Sequence, residues 1–151
     1  MTTLETTDLK TRVADWTQKY ADAITQNFKE YSISMLERNL ERSDYDYPDY
    51  AQSQLDEINN GTANLYWYKI KTGKRFFKII QMEFDTFQNR NEYREGSVHS
   101  FVDRNTGEVF KPASWRGPAK HVRYDMRIIK EREFLHDPSN VTWAGGYLYM
   151  R

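Results

Sequence analysis

"NLYWYKIKTGKRFFKIIQMEF", residues 64–84, decides the fold class. Aromatic and β-branched residues crowd both ends of it, and such residues suit a pleated, half-buried surface. "NLYWYKI" (64–70) and "RFFKIIQMEF" (75–84) therefore read as two strands. Lys71-Thr72-Gly73-Lys74 reads as the short loop of a hairpin, with Gly73 expected at the position that needs a positive φ. "DTFQNRNEYREG" (85–96) reads as a polar connection. "SVHSFV" (97–102) and "EVFK" (108–111) read as a second hairpin around Asp103-Arg104-Asn105-Thr106-Gly107. The middle of the chain is thus an antiparallel meander of three or four strands.

Upstream the period changes. Leu9, Val13, Trp16, Tyr20, Ile24, Phe28, Tyr31, Met35 and, less regularly, Leu40 recur at spacings of three to five residues. That is one apolar stripe of a helix over residues 8–40, with Thr7 as N-cap and Asp8 at the positive end of the dipole. A helix of that length runs about 50 Å. It overhangs a small domain, so a break at Ser32-Ile33-Ser34 or a homodimer contact is expected. Pro48 in "SDYDYPDY" (43–50) stops it, and "YAQSQLDEI" (50–58) suits a short helix before an Asn-Asn-Gly turn. The long helix covers one face of the meander. The expected fold is α+β: a long N-terminal helix on the sheet, with a shorter C-terminal helix, in one domain over residues 1–151.

The C-terminal third holds two open readings. "PAKHVRYDMRIIKEREF" (118–134) fits a strand on one alternation and a helix on another; its Lys, Arg and Glu content favours the helix, with Pro118 in its first turn. "VTWAGGYLYMR" (141–151) suits a last strand or a surface run.

The 151 residues include no cysteine, so disulfides, thiolate metal sites and cysteine nucleophiles are excluded. The first residues lack the apolar centre of a signal peptide, and no apolar run approaches the roughly 20 residues of a membrane span. A cytoplasmic protein without a membrane contact is expected. Net charge is zero but divided: residues 1–60 carry 6 Lys and Arg against 12 Asp and Glu, and residues 61–151 carry 16 against 10.

His99, His121 and His136 form no metal-ligand spacing, and His99 on the strand face of Phe101 reads as a packed, hydrogen-bonded side chain. No nucleophile elbow and no phosphate loop is present, and no cofactor or catalytic residue is implied; an enzyme of unseen type stays open as the least favoured reading. "TGEVFKPASWRGPAKHVRY" (106–124) carries the one concentration of binding chemistry. Lys111, Arg116, Lys120, Arg123 and Arg127 interleave with Trp115 and Tyr124. Cations neutralise phosphates and flat rings stack on unpaired bases, so these seven residues form a candidate nucleic-acid surface. If the segment is helical, positions 116, 120, 123, 127 and 130 fall near one face. The competing reading makes Trp115 a core plug between Ala113 and Ala119, with the cations merely solvated.

"SVHSFVDRNTGEVFKPASWRGPAKHVRY" resembles a signature of small, uncharacterised proteins of tailed bacteriophages, as does the Gly- and Tyr-rich tail "GGYLYMR". The likeness is most specific over Val98–Tyr124 and weak over the first sixty residues. It implies no activity. It implies a small accessory protein in the cytoplasm of an infected bacterium. The basic and aromatic surface makes nucleic acid the expected partner, and the aromatic surface with the acidic long helix makes a host or phage protein the alternative.

Overall fold

A computed structural model describes residues 2–150, with side chains from Asp8 onward. Its elements run α1 (Thr2–Glu41), α2 (Pro48–Asn60), β1 (Trp67–Thr72), β2 (Phe76–Asp85), β3 (Glu92–Asp103), β4 (Glu108–Phe110), β5 (Tyr124–Asp125) and α3 (Ile129–Leu135). The strands form one antiparallel sheet in the order β1-β2-β3-β4-β5. The α+β architecture, the long N-terminal helix and the C-terminal helix are as the sequence indicates.

Two hydrophobic clusters hold it. The main one joins Val13, Tyr20, Ala21 and Ile24 of α1 to Tyr68, Phe77, Ile79, Val102 and Val109 on the inner face of the sheet. Fully burying an aliphatic or aromatic side chain of this kind contributes about 1.5–3 kcal/mol. The second joins Leu36 to Ala51, Leu55 and Ile58 of α2.

α1 has no break. Ser32 Oγ donates to Phe28 O at 2.9 Å, so its hydroxyl is satisfied within the helix. Past Phe28 the buried stripe turns to Ser32 and Leu36, leaving Tyr31 and Met35 exposed, because α2 packs there. α2 thus packs along the C-terminal half of α1. α1 also starts at Thr2, so Thr7 lies inside it rather than capping it.

β3 starts at Glu92, within the stretch read as a connection. Its pairing with β2 slips between Ile79/Ile80 and between Ile80/Met82. The first bulge turns two consecutive residues, His99 and Ser100, toward α1: His99 meets Tyr20 and Tyr68, and Ser100 meets Tyr20. Phe101 lies on the outer face against Phe76. The expectation that His99 and Phe101 share a face is therefore corrected.

The β1–β2 loop closes through Gly73 N–H to Phe76 O at 2.9 Å without a positive φ at Gly73. Of the two hairpin turns, it is the β3–β4 turn that needs one, at Gly107 with φ 80; Gly61 and Gly145 take a positive φ elsewhere. A Cβ there would lie 3.2 Å from Met126 Cβ and 3.3 Å from Val13 Cγ2.

Residues 118–134 are not one helix. Pro118 forms a bridge with Pro112, Tyr124–Asp125 is β5, and helix resumes only at Ile129. The C-terminal segment is neither a strand nor a surface run. Val141, Tyr147 and Leu148 are buried, and Gly146–Tyr149 is a 3₁₀ turn. Asn27 of α1 holds it from both sides, donating to Pro138 O at 2.7 Å and accepting from Trp143 N–H at 2.9 Å.

Candidate functional site

The loop after β4 is built as a small hairpin. Ala113 N–H and Ser114 N–H donate to Gly117 O at 3.0 and 3.2 Å, Ala119 N–H donates to Lys111 O at 2.9 Å, and the two prolines bridge at its base. The tip therefore presents Trp115 and Arg116 over the outer face of the sheet. Trp115 is 41% exposed, so it is no core plug. Instead Lys78 Nζ lies 4.4 Å from its ring centroid and 5.8 Å from that of Phe101. Lys71 Nζ is 6.0 Å from the same indole. Such cation–π contacts contribute about 0.5–1 kcal/mol where solvent reaches them.

Beside the indole lies a cavity of about 250 Å³. Lys71, Lys74, Arg75, Lys78 and Arg116 line it, together with Phe76 and Phe101. Glu95 pairs with Lys71 at 3.3 Å and with Lys69 at 3.5 Å. Partial burial raises the Glu95 carboxyl, but the hydrogen bonds and charges of Lys71 and Lys69 outweigh it and leave the group below its ordinary pKa. Asp103 pairs with Arg75 at 3.3 Å. Among the described residues, Lys74, Lys78 and Arg116 have no carboxylate within ion-pair distance. The cavity therefore keeps a surplus of positive charge, held against apolar rings.

The seven residues singled out from the sequence separate. Trp115 and Arg116 stand at this cavity. Lys111 lies over the Tyr149 ring at 4.5 Å, and Lys120 is exposed on the loop. Tyr124 is buried against Phe134, with ring centroids 5.1 Å apart, and its hydroxyl donates to Tyr147 O; it is no stacking surface. Arg127 grips Asp125, with Nη2 to Oδ2 at 2.8 Å and Nε to Oδ1 at 3.0 Å. Arg123 is half-buried, and its backbone N–H donates to Val109 O. The co-facial row of cations does not form, because no helix runs through 116–128.

The cations that matter more sit in "KIKTGKRFFK" (69–78), five in ten residues flanking two phenylalanines. That density was a readable signal, masked by its fit to a hairpin. Nothing in the sequence placed it beside Trp115.

A buried polar chain lies on the other face. Tyr20 and Tyr147 hydroxyls meet at 2.6 Å, Tyr20 donates to Ser100 Oγ at 3.1 Å, and His99 Nδ1 meets the same oxygen at 3.1 Å. His99 Nε2 lies 3.1 Å from Thr142 O. Burial pushes the imidazole pKa down to about 4, and the Thr142 carbonyl opposes this only in part. Among the described residues no group of three or more His, Asp or Glu is arranged to hold a metal ion. No described helix is long and apolar enough to cross a membrane.

No curated protein and no solved structure matches the chain significantly. One family model matches residues 1–150, and by that match the chain belongs to a family of unknown function (DUF7717).

Proposed function

We propose that the chain binds single-stranded nucleic acid, without sequence preference, across the outer face of its sheet. The observation that carries this reading is the cationic cavity against an exposed indole: five Lys and Arg side chains and two phenyl rings around one hollow, with Lys78 on the Trp115 ring. Phosphates would be neutralised at Lys71, Lys74, Lys78 and Arg116, and Trp115 offers a face on which a base stacks. A base offers its face to such a ring only when unpaired, which favours single strands over duplex. The resemblance to small tailed-phage proteins would put this activity in an infected bacterium, as that of an accessory protein.

Fluorescence anisotropy of labelled single-stranded DNA, RNA and duplex DNA, titrated across salt, tests it. Single strands should bind at low salt, with log affinity falling about 0.7 per phosphate neutralised on each decade of salt. The pair Lys78→Ala and Arg116→Ala should flatten that slope by roughly one to one and a half. Absence of binding at low salt, or an unchanged slope in the double variant, refutes it.

A second reading, docking on a host or phage protein, is favoured by Tyr47 and Tyr50, which are 67% and 62% exposed amid Asp44, Asp46 and Asp49. Partner capture that salt leaves unchanged would support that reading.

A further inference from the structure

β4 pairs with only Phe101 and Val102 of β3, so the rest of β3 has a strand on one side alone. An open edge keeps main-chain N–H and C=O groups available to a ligand. At this edge, between Ser97 and Val98 and the C-terminal segment, lies a second cavity of about 320 Å³. That volume is within the range of small-molecule sites, about 300–1,000 Å³. Its character is opposite to the first. No Lys, Arg, Asp or Glu lines it. Trp143 and Tyr149 supply aromatic walls, exposed Ser97 supplies a polar group, and His99 is held neutral at ordinary pH; the Gln81 amide also lines it but is engaged, accepting from Tyr68 at 2.9 Å and donating to Glu83 at 2.8 Å. Gly145, whose φ of +81 disfavours a side chain, borders it at the histidine, where a Cβ would stand in ordinary contact at 3.7 Å from His99 Nε2.

The cavity is continuous with the cationic surface. Ser97, Val98 and Pro112 line both it and the hollow under Trp115, and Trp115 carries the lysine of the first cavity. Lys111, on the Tyr149 ring at 4.5 Å, supplies a cation at its mouth. Neutral, flat-walled and edged with donors and acceptors, it matches a heteroaromatic ring with polar edges and no charge.

We infer that the cavity walled by Trp143 and Tyr149 receives one unpaired nucleobase of a strand whose phosphates lie in the cationic cavity. This rests on the function proposed above. The strand would cross from Lys78 over Trp115 and tuck one base beneath Tyr149, with Ser97 on the open edge of β3 meeting its edge.

The test uses the full chain, a short oligothymidylate and an abasic strand of equal length. Ala144 and Tyr149 are exposed at this cavity, so Ala144→Leu, which narrows it, and Tyr149→Ala, which removes a wall, should both fold. Each should cut the preference for the base-bearing strand about tenfold, the worth of one stacked base, and leave abasic affinity unchanged. Undiminished preference in both variants overturns the inference and leaves the proposed function standing. Lys78→Ala with Arg116→Ala should weaken both strands alike. If it weakens neither, the proposed function fails, and thymidine itself decides the cavity. Tryptophan quenching by free thymidine in the wild type but not in Ala144→Leu would sustain the pocket, and no quenching would overturn it.

Discussion

His99 should make the protein lose stability in acid by an amount the structure sets. In the unfolded chain its imidazole titrates near 6.5; folded, it titrates near 4, because burial among Tyr20, Tyr68 and Tyr147 disfavours the cation. The unfolded state therefore binds the proton first. The penalty is absent above pH 6.5, grows as pH falls, and levels off below pH 4. At about 1.36 kcal/mol per pH unit the full penalty is about 3 kcal/mol, and most of it is expressed by pH 4.5. Carboxyls held below their ordinary values, Asp85, Asp125 and Asp137 among them, also weaken the fold in acid, as does His136. A difference of differences removes them. Urea unfolding at pH 7 and pH 4.5 on the wild type and His99→Gln should show the variant losing about 2–3 kcal/mol less between the two pH values. The variant itself should be weaker at pH 7 by about 1–3 kcal/mol, since Ser100 and Thr142 O lose their ring partner. Parallel losses in the two proteins, or a His99 ring that titrates above pH 6 by NMR, would refute the reasoning.

Other expectations follow from the same geometry. Trp115→Ala should cost under about 1 kcal/mol of stability, because the ring is exposed, yet weaken single-strand binding by about 1–3 kcal/mol; a thermal melt and one titration separate it from a core plug. Gly107→Ala should destabilise by about 1–3 kcal/mol through its positive φ and the closeness of Val13 and Met126, and a neutral result in urea would contradict the turn. Leu148→Ala, three residues before the last of the chain as given, should cost about 2–5 kcal/mol, since the side chain is fully buried; a surface-like cost in the same assay would detach the tail from the core.

What the sequence determined by itself is local. The alternation in residues 64–84 and the stripe of Val13, Tyr20 and Ile24 specify a hairpin and a helix, because each face must be buried and the period says which face. Pro48 was legible only as a break between helices: read as the stop of the long helix, it instead opens α2, because α1 already ends at Glu41 and a fixed φ with no N–H is tolerated in a first turn. The tertiary structure decided the rest. Residues 118–134 carry both periods, and only pairing with β4 on one side and packing of Leu135 into the core on the other divide them into strand, turn and helix. His99 changed faces through a bulge that depends on its partner strand. The candidate site joins Lys71, Lys74 and Lys78 to Trp115 and Arg116, some forty residues later in the chain. Charge and aromaticity can be counted along a sequence, but which cation stands over which ring depends on register and on loop closure between distant segments. Those are properties of the folded sheet.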